Sequence, residues 1–354
     1  MSVIRFEGAS YSLRAAQAVF NEPLVTGSLL YILTLGPVHI RERLLRPFRN
    51  NVLATNGASR LATIVAALKA FFILGVISRI NKALNRLALN GWALKRKGAP
   101  FEFGPEKKEL VVITGGSSGF GYEMVKAFSK IARVVSLDVN PLPAELEKLP
   151  DVHHYHLDIS NNSDLQKVCA DVRTVHGDPT VLINNAGIAN GRPILQTTNE
   201  ATEKIFQINL IAHFALIREF LPGTTNFSLP PVLSKRKGHI LSIASMLSFF
   251  PARNLVDYAC TKIGALYLTE GLRAECLHVY PGGESICTTS VHPGWYSTGI
   301  IRGAEDSLAK QGIVPRDPVE VAERVVEQVV KGRSGSELGV LPTKAVALPQ
   351  LPPT

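Results

Sequence analysis

The chain has 354 residues, 46 % of them hydrophobic and 19 % charged, a composition that buries a sizeable core and excludes disorder as the dominant state. Cys169, Cys260, Cys276 and Cys287 are widely spaced and form no CxxC or Cys/His cluster, which argues against a disulfide scaffold or a zinc module and leaves reduced thiols and no metal. The net charge of +9 belongs to the first third: residues 1–109 hold 16 Lys+Arg against 6 Asp+Glu, and residues 110–354 hold 22 against 23.

In chain order, two apolar stretches come first. Leu24–Ile40 has no Asp, Glu, Lys or Arg, though Gly27, Gly36 and Pro37 weaken it as a helix. Leu61–Ser78 runs 18 residues with one charge, Lys69, at the lower edge of what a bilayer span needs. Neither has the form of a secretory signal, since the first begins late and no clear small-residue cleavage site follows. Beyond them Ile80, Ala83, Leu84 and Leu87 recur at helical spacing opposite Asn81, Lys82, Asn85 and Arg86. That is a basic amphipathic helix, with Trp92 placed for a headgroup boundary. Arg41, Arg43, Arg46, Arg49 and Arg60 fill the interval between the stretches. Aromatic residues are not interleaved with the bases as a single-strand nucleic-acid surface requires, so residues 24–92 are expected at a membrane and not on nucleic acid. The rival reading is a pair of core helices, because Lys69 is costly at mid-bilayer. Both flanks of the second stretch are basic, so charge bias assigns no topology.

Gly98, Pro100, Gly104 and Pro105 punctuate a charged linker, Lys95–Leu110. The expected division is a membrane-associated region with linker over 1–107 and a second domain over 108–354. That domain alternates elements. Strands are predicted at Glu109–Ile113, Arg133–Leu137, His153–Leu157, Thr180–Ile183, His239–Ile243, Ser285–Val291 and Glu337–Leu341. Helices are predicted at Tyr122–Lys130, Asp164–Val175, Glu200–Phe220, Leu255–Leu277 and Pro318–Lys331. The pattern calls for an α/β fold, a doubly wound parallel sheet of the Rossmann type, with ligands at the carboxyl ends of its strands.

Residues 111–121 read VVITGGSSGFG. Gly115, Gly119 and Gly121 fall between a strand and a helix, where a tight turn lets backbone amides approach a pyrophosphate. Ser117, Ser118 and Phe120 complete the loop, and the helix after Ser118 aims its amino end at the phosphates. The second strand ends at Asp138, 17 residues after Gly121. A carboxylate there accepts bonds from both ribose hydroxyls of NAD and repels the 2′-phosphate of NADP. NAD(H) is therefore favoured as cofactor over NADP, the plainer alternative being an Asp that caps a turn.

With this spacing, TGGSSGFG resembles the cofactor motif of the short-chain dehydrogenase/reductase family, and the rest of the family's pattern follows in order over about Glu109–Leu341. The resemblance implies that Asp158 in HLDIS contacts adenine. It implies that Asn185, Ala186 and Gly187 in NNAG line the nicotinamide side. Asn209 in FQIN, Ser245 in LSIAS, and Tyr258 with Lys262 in YACTK match the catalytic tetrad. Pro293, Gly294 and Thr298 match PGxxxT, whose Thr holds the nicotinamide carboxamide. Asn209 would hold a water joining Lys262 to solvent.

The chemistry of these residues supports the resemblance. Tyr258 and Lys262, at i and i+4, share a helix face. A phenol with a pKa of about 10 is a poor base at neutral pH. The Lys262 ammonium, together with the positive nicotinamide ring, is expected to pull that value down, so that Tyr258 takes the alcohol proton, or returns it to a carbonyl in reverse. The Ser245 hydroxyl would hold the substrate oxygen. Ser245, Met246, Phe250, Tyr258 and Trp295 are the predicted substrate contacts, with Ile188, Leu247, Phe249 and Tyr296 as further wall candidates; core packing is the rival reading for several of the apolar ones. Gly299–Gln311 is placed to form a lid, and Pro222–Gly238 is longer than expected before that strand: a solvated surface loop is the plainer reading, an extra membrane or partner contact the alternative.

These apolar walls and the membrane region resemble the membrane-anchored branch that holds retinol and 17-beta-hydroxysteroid dehydrogenases. That resemblance implies a lipophilic substrate (a retinoid, steroid or long-chain lipid alcohol) and residence at the endoplasmic reticulum or a lipid droplet. The helices Glu200–Phe220 and Leu255–Leu277 resemble those that form family homodimers. Two other readings stay open at this stage: an NADPH-dependent lipid ketone reductase, and a catalytically idle membrane or lipid-droplet scaffold.

Overall fold

The computed structural model describes residues 22–48, 56–90, 92–94, 98–225, 237–303, 305–310 and 312–337. It divides into two compact units, Met1–Arg86 and Leu87–Thr354.

In the first unit, helix α1 (Pro23–Thr34) is followed by α2 (Val38–Leu45), the two bent by 110°. The break falls at Gly36-Pro37, where proline removes the N–H and clashes with the preceding turn. Helix α3 (Gly57–Leu89) is 33 residues long, about 50 Å at 1.5 Å per residue. The apolar stretch and the basic amphipathic stretch read separately in the sequence are thus one continuous helix, because no Pro or paired Gly interrupts them. Ile73, Leu74, Ile77, Ile80 and Leu84 of α3 are exposed. Helix α1 packs on α3 through Gly27, where a β-carbon would stand 2.9 Å from the Phe72 ring, and an Arg79–Glu22 ion pair of 2.5 Å closes one end.

The second unit is built on a seven-stranded, wholly parallel sheet in the order β3-β2-β1-β4-β5-β6-β7. Its strands are β1 (Leu110–Thr114), β2 (Arg133–Asp138), β3 (Val152–His156), β4 (Val181–Asn184), β5 (Gly238–Ile243), β6 (Ile286–Val291) and β7 (Gly335–Glu337). Apart from Arg133 at the start of β2, every residue of β1, β2, β4, β5 and β6 is buried, as helices on both faces require. One face packs on α4 (Gly119–Phe128) and α11 (Val319–Lys331) through Met124, Val125, Phe128, Val321, Val325 and Val329. The other packs on α6 (Asn162–His176), α8 (Ala212–Thr225) and α9 (Val256–His278) through Leu165, Val172, Leu216, Phe220, Leu272 and Cys276. Three short helices complete the unit: α5 (Ala144–Glu147), α7 (Asn199–Phe206) and α10 (Glu305–Lys310).

The long helix predicted over Glu200–Phe220 is interrupted. Between α7 and α8, Gln207–Ile211 forms a π-turn, and Asn209 at its centre is fully buried. An extra residue in the turn rotates the chain and aims Asn209 inward, a feature that hydrophobic periodicity does not register. The segment Pro222–Gly238 lies mostly outside the described residues. Its end is fixed where Lys237 pairs at 2.6 Å with Glu109, whose side chain is 1 % exposed. The seventh strand begins at Gly335, and the predicted stretch 338–341 lies outside the described residues.

Candidate active site

The strand order reverses between β1 and β4, and a crevice opens at their carboxyl ends. Two turns meet there. The loop after β1 carries Gly115 at φ +69°; a β-carbon there would lie 2.9 Å from the Ala186 α-carbon. Gly121 is under still tighter constraint, since its β-carbon would fall 1.8 Å from the Gly115 carbonyl oxygen. The turn after β4 is stapled to that loop: Asn185 Nδ2 donates to the carbonyls of Thr114 (2.9 Å) and Gly115 (3.1 Å). The Thr114 hydroxyl accepts from the Asn185 and Ala186 amides at 2.9 and 3.0 Å. Ser118 begins α4 with an exposed side chain that makes no cap bond among the described residues, which leaves the helix end open to an anion.

Asp138, 8 % exposed at the end of β2, faces this loop. One carboxylate oxygen accepts from the Ser117 amide at 2.9 Å and the other from the Asn140 amide at 2.9 Å. The carboxylate therefore caps its own turn and braces the glycine loop, while lone pairs remain for a diol. Asp158 is exposed beyond β3, its carboxyl held below the usual range chiefly by the Ser160 hydroxyl at 2.7 Å. Thr298 packs its side chain against Gly119, and the Pro293 carbonyl accepts from the Met246 amide at 2.9 Å. The donor set is a cradle that a β-carbon would fill, a free helix end and a carboxylate one strand away. It fits a dinucleotide held by Gly115, Ser117, Ser118, Gly119, Phe120 and Gly121, with Asp138 and Asp158 on the adenosine side. In such a complex Asn185, Ala186, Gly187, Pro293, Gly294 and Thr298 would be the residues left for the nicotinamide side.

Beside the crevice, Ser245 ends the β5 segment and Tyr258 and Lys262 occupy the first turns of α9. Their exposures are 7 %, 9 % and 2 %. The Lys262 Nζ donates to the Ile243 carbonyl at 2.8 Å and lies 5.4 Å from the centre of the Tyr258 ring. A β-carbon on Gly187 would stand 3.4 Å from that amine and 3.3 Å from Asn209 Oδ1, so the NNAG turn reaches the same spot. Asn209 is occupied structurally: its Oδ1 accepts from the Ile188 amide at 2.9 Å. Its Nδ2 donates to the Ile188 carbonyl at 2.9 Å and to the Thr261 hydroxyl at 3.1 Å. Both amide hydrogens are thus spent on positioning the turn against α9.

In the protein by itself, burial opposes the acidification of the phenol expected from the lysine together with the nicotinamide ring. Burial pushes the Tyr258 phenol up to about 12, opposed by a hydrogen bond from Ser245. Burial pushes the Lys262 ammonium down to about 8. Desolvation dominates both shifts because both side chains are buried.

Of the predicted wall residues, Ile188, Met246, Leu247, Phe250 and Trp295 gather with Tyr258 in one apolar cluster. Tyr296 does not join them. It is 1 % exposed, packs edge-on to Phe120 at 5.3 Å and belongs to the core beneath α4 and α11. Phe249 covers His292 at 4.7 Å between ring centres. His292 is a residue that the sequence reading missed. Its ring bonds the Ser245 carbonyl at 3.1 Å and the Ser290 hydroxyl at 3.0 Å, bracing the serine from behind. Its place directly before Pro293-Gly294 was the available signal. Within Gly299–Gln311, Ile301 and Leu308 are buried.

The profile of the short chain dehydrogenase family matches residues 109–308. The chain is 37 % identical over 142 residues to "Dehydrogenase RED3" of Cochliobolus heterostrophus, covering 40 % of this chain and 67 % of that one. It is 30 % identical over 232 residues to "Epidermal retinol dehydrogenase 2" of Mus musculus, covering 63 % and 71 %. Among solved structures, 4-hydroxyisoleucine dehydrogenase complexed with NADH superposes with a TM-score of 0.54 at 24 % identity, over 65 % of this chain and 95 % of that one, which shows the fold.

Proposed function

The chain belongs to the short-chain dehydrogenase family and is an NAD(P)-dependent alcohol dehydrogenase or carbonyl reductase, and from that premise we propose that it uses NAD(H) on a lipophilic alcohol at a membrane. The observation that carries this reading is the apolar cluster around Tyr258, with Met246, Phe250 and Trp295 beside a buried phenol and amine. Such walls exclude water and favour a substrate with little polarity of its own.

In the proposed reaction Ser245 and Tyr258 bind the substrate oxygen. A bound nicotinamide cofactor would supply the hydride acceptor and, in its oxidised form, a positive charge that favours the phenolate. Tyr258 takes the hydroxyl proton as the carbonyl forms and returns it in the reverse direction. Lys262 stabilises the phenolate by its charge, and Asn209 and His292 hold the NNAG turn and Ser245 in place. Asp138 supports NAD over NADP, because it points an acidic group at the glycine loop.

The substrate class, a retinoid, steroid or long-chain lipid alcohol, rests on the apolar walls and on likeness to a retinol dehydrogenase. Attachment through residues 24–92 rests on α3, whose apolar side chains are exposed along a length sufficient for a span. Residence at the endoplasmic reticulum or a lipid droplet is what the resemblance to the membrane-anchored branch implies. The exposed apolar side chains of Ile211, Phe214, Ile263 and Tyr267 on the π-turn, α8 and α9 support a homodimer.

The test is turnover of all-trans-retinol, estradiol and a long-chain secondary alcohol by the full chain in detergent, with NAD and NADP compared. Oxidation of at least one with NAD supports the reading. Exclusive use of NADPH to reduce lipid ketones replaces it with the ketone-reductase reading. Absence of turnover in both directions refutes it.

A further inference from the structure

Behind the site lies a set of polar atoms that the reaction above does not use. Both side-chain polar atoms of Asn184, the Ser242 hydroxyl oxygen and both ring nitrogens of His213 are buried with no hydrogen-bond partner among the described residues. Asn184, Ser242 and His213 are 0 %, 1 % and 0 % exposed. They share one layer. Asn184 and Ser242 are register partners on β4 and β5. Alternation along the strands puts both on the face of Leu182 and Ile240, which α8 and α9 cover. His213 comes from α8, between Ala212 and Leu216, which pack on that face. Lys262 reaches the same place, since the carbonyl that its amine bonds belongs to Ile243, the residue after Ser242.

Buried polar groups in folded proteins almost always find a protein or water partner. The three side chains offer donors and acceptors enough for the two to four bonds that an internal water needs. Burial, reinforced by the Lys262 charge, pushes the His213 imidazole down to about 3. It is therefore neutral at working pH, does not oppose the ammonium and presents a lone pair. The Asn209 amide hydrogens are already committed to Ile188 and Thr261, so the unspent polar capacity near the amine lies in this layer.

We propose that Asn184, Ser242 and His213 enclose an internal water site behind Lys262, and that His213 is a positioning residue which, through this water, holds the lysine in its charged form. The proposal rests on the reading of Tyr258 and Lys262 as the proton-transfer pair. The titratable groups that face Lys262 are Tyr258 on its own helix, His213 on α8 and His292 beyond β6. Without the water, burial weighs more heavily on the ammonium and it loses its proton at lower pH.

The first test needs no turnover. A crystal structure of the full chain should contain an ordered water bonded to at least two of the three side chains; a dry layer overturns the proposal. The second compares His213→Leu with His213→Gln, using all-trans-retinol and estradiol with NAD. The leucine variant should lose about tenfold in kcat and move the alkaline limb of the pH profile down by about half a unit or more. The glutamine variant, which keeps a donor and an acceptor, should stay within about threefold of the parent. If His213→Leu does not fold, Ser242→Ala takes its place, with the same direction of shift. An unchanged alkaline limb in the folded variant overturns the proposal. If the parent chain oxidises neither alcohol, the substrate reading fails, and the water site stands or falls on the crystal structure alone.

Discussion

Replacing Lys262 by methionine isolates the charge on which the proton transfer depends. Methionine keeps most of the aliphatic stem and removes the ammonium. Burial places the Tyr258 phenol at about 12 and the Lys262 ammonium at about 8, four units or about 5 kcal/mol from a state in which both are ionised. The amine lies 5.4 Å from the ring centre; at an effective dielectric near 20, a unit charge at that range is worth about 3 kcal/mol, roughly two pKa units. That attraction is the lysine's share; the Ser245 hydrogen bond already acts in the value of about 12, so the remainder falls to the oxidised cofactor. The phenolate is the form that accepts the proton, and losing a nearby cation raises the pKa of a phenol. The ascending limb of alcohol oxidation against pH should therefore move up by about two units in Lys262→Met, and turnover near neutral pH should fall about 100-fold. The assay is kcat/KM across the pH range, with NADH binding followed separately by its fluorescence. If activity falls while the limb stays in place, the lysine acts through structure or binding and the charge argument is wrong.

Other consequences follow from the same geometry. Asp138→Asn removes the charge beside the glycine loop, so the ratio of NADPH to NADH affinity should rise at least about tenfold; an unchanged ratio in fluorescence titrations would remove Asp138 from cofactor selection. Gly121→Ala drives a β-carbon to 1.8 Å from the Gly115 carbonyl, and backbone must move. It should cost about 1–3 kcal/mol in unfolding experiments and weaken NADH binding. Gly271→Ala serves as the contrast, because a β-carbon there meets nothing within 4 Å on an exposed stretch of α9. It should stabilise by up to about 1 kcal/mol, and a loss of stability would contradict the account of both glycines.

Much of this site is legible in the sequence because its chemistry is local. The glycine loop, Asp138 at a strand end and the i, i+4 spacing of Tyr258 and Lys262 each follow from short-range pattern, and the parallel sheet follows from alternating elements. What escapes is set by distant segments meeting. The π-turn at Asn209 costs no change in hydrophobic period, so the sequence reads as one helix where the chain makes three elements. Tyr296 follows a turn that lines the crevice, yet its ring fills the core beside Phe120. The polar layer of Asn184, Ser242 and His213 joins two strands and a helix, and only packing reveals that its atoms lack partners among the described residues. The phenol's upward shift has the same origin, since it depends on how deeply the fold buries Tyr258.

The most direct test of the central claim is Tyr258→Phe in the full chain, with hydride transfer and NADH binding measured side by side. The phenyl ring keeps the packing with Met246 and Leu247 and removes only the hydroxyl. NADH binding should be nearly unchanged while NAD-dependent alcohol oxidation falls by at least about 1,000-fold, since the proton then has no acceptor at the reacting oxygen. Oxidation by the variant at a rate close to that of the parent would contradict the account.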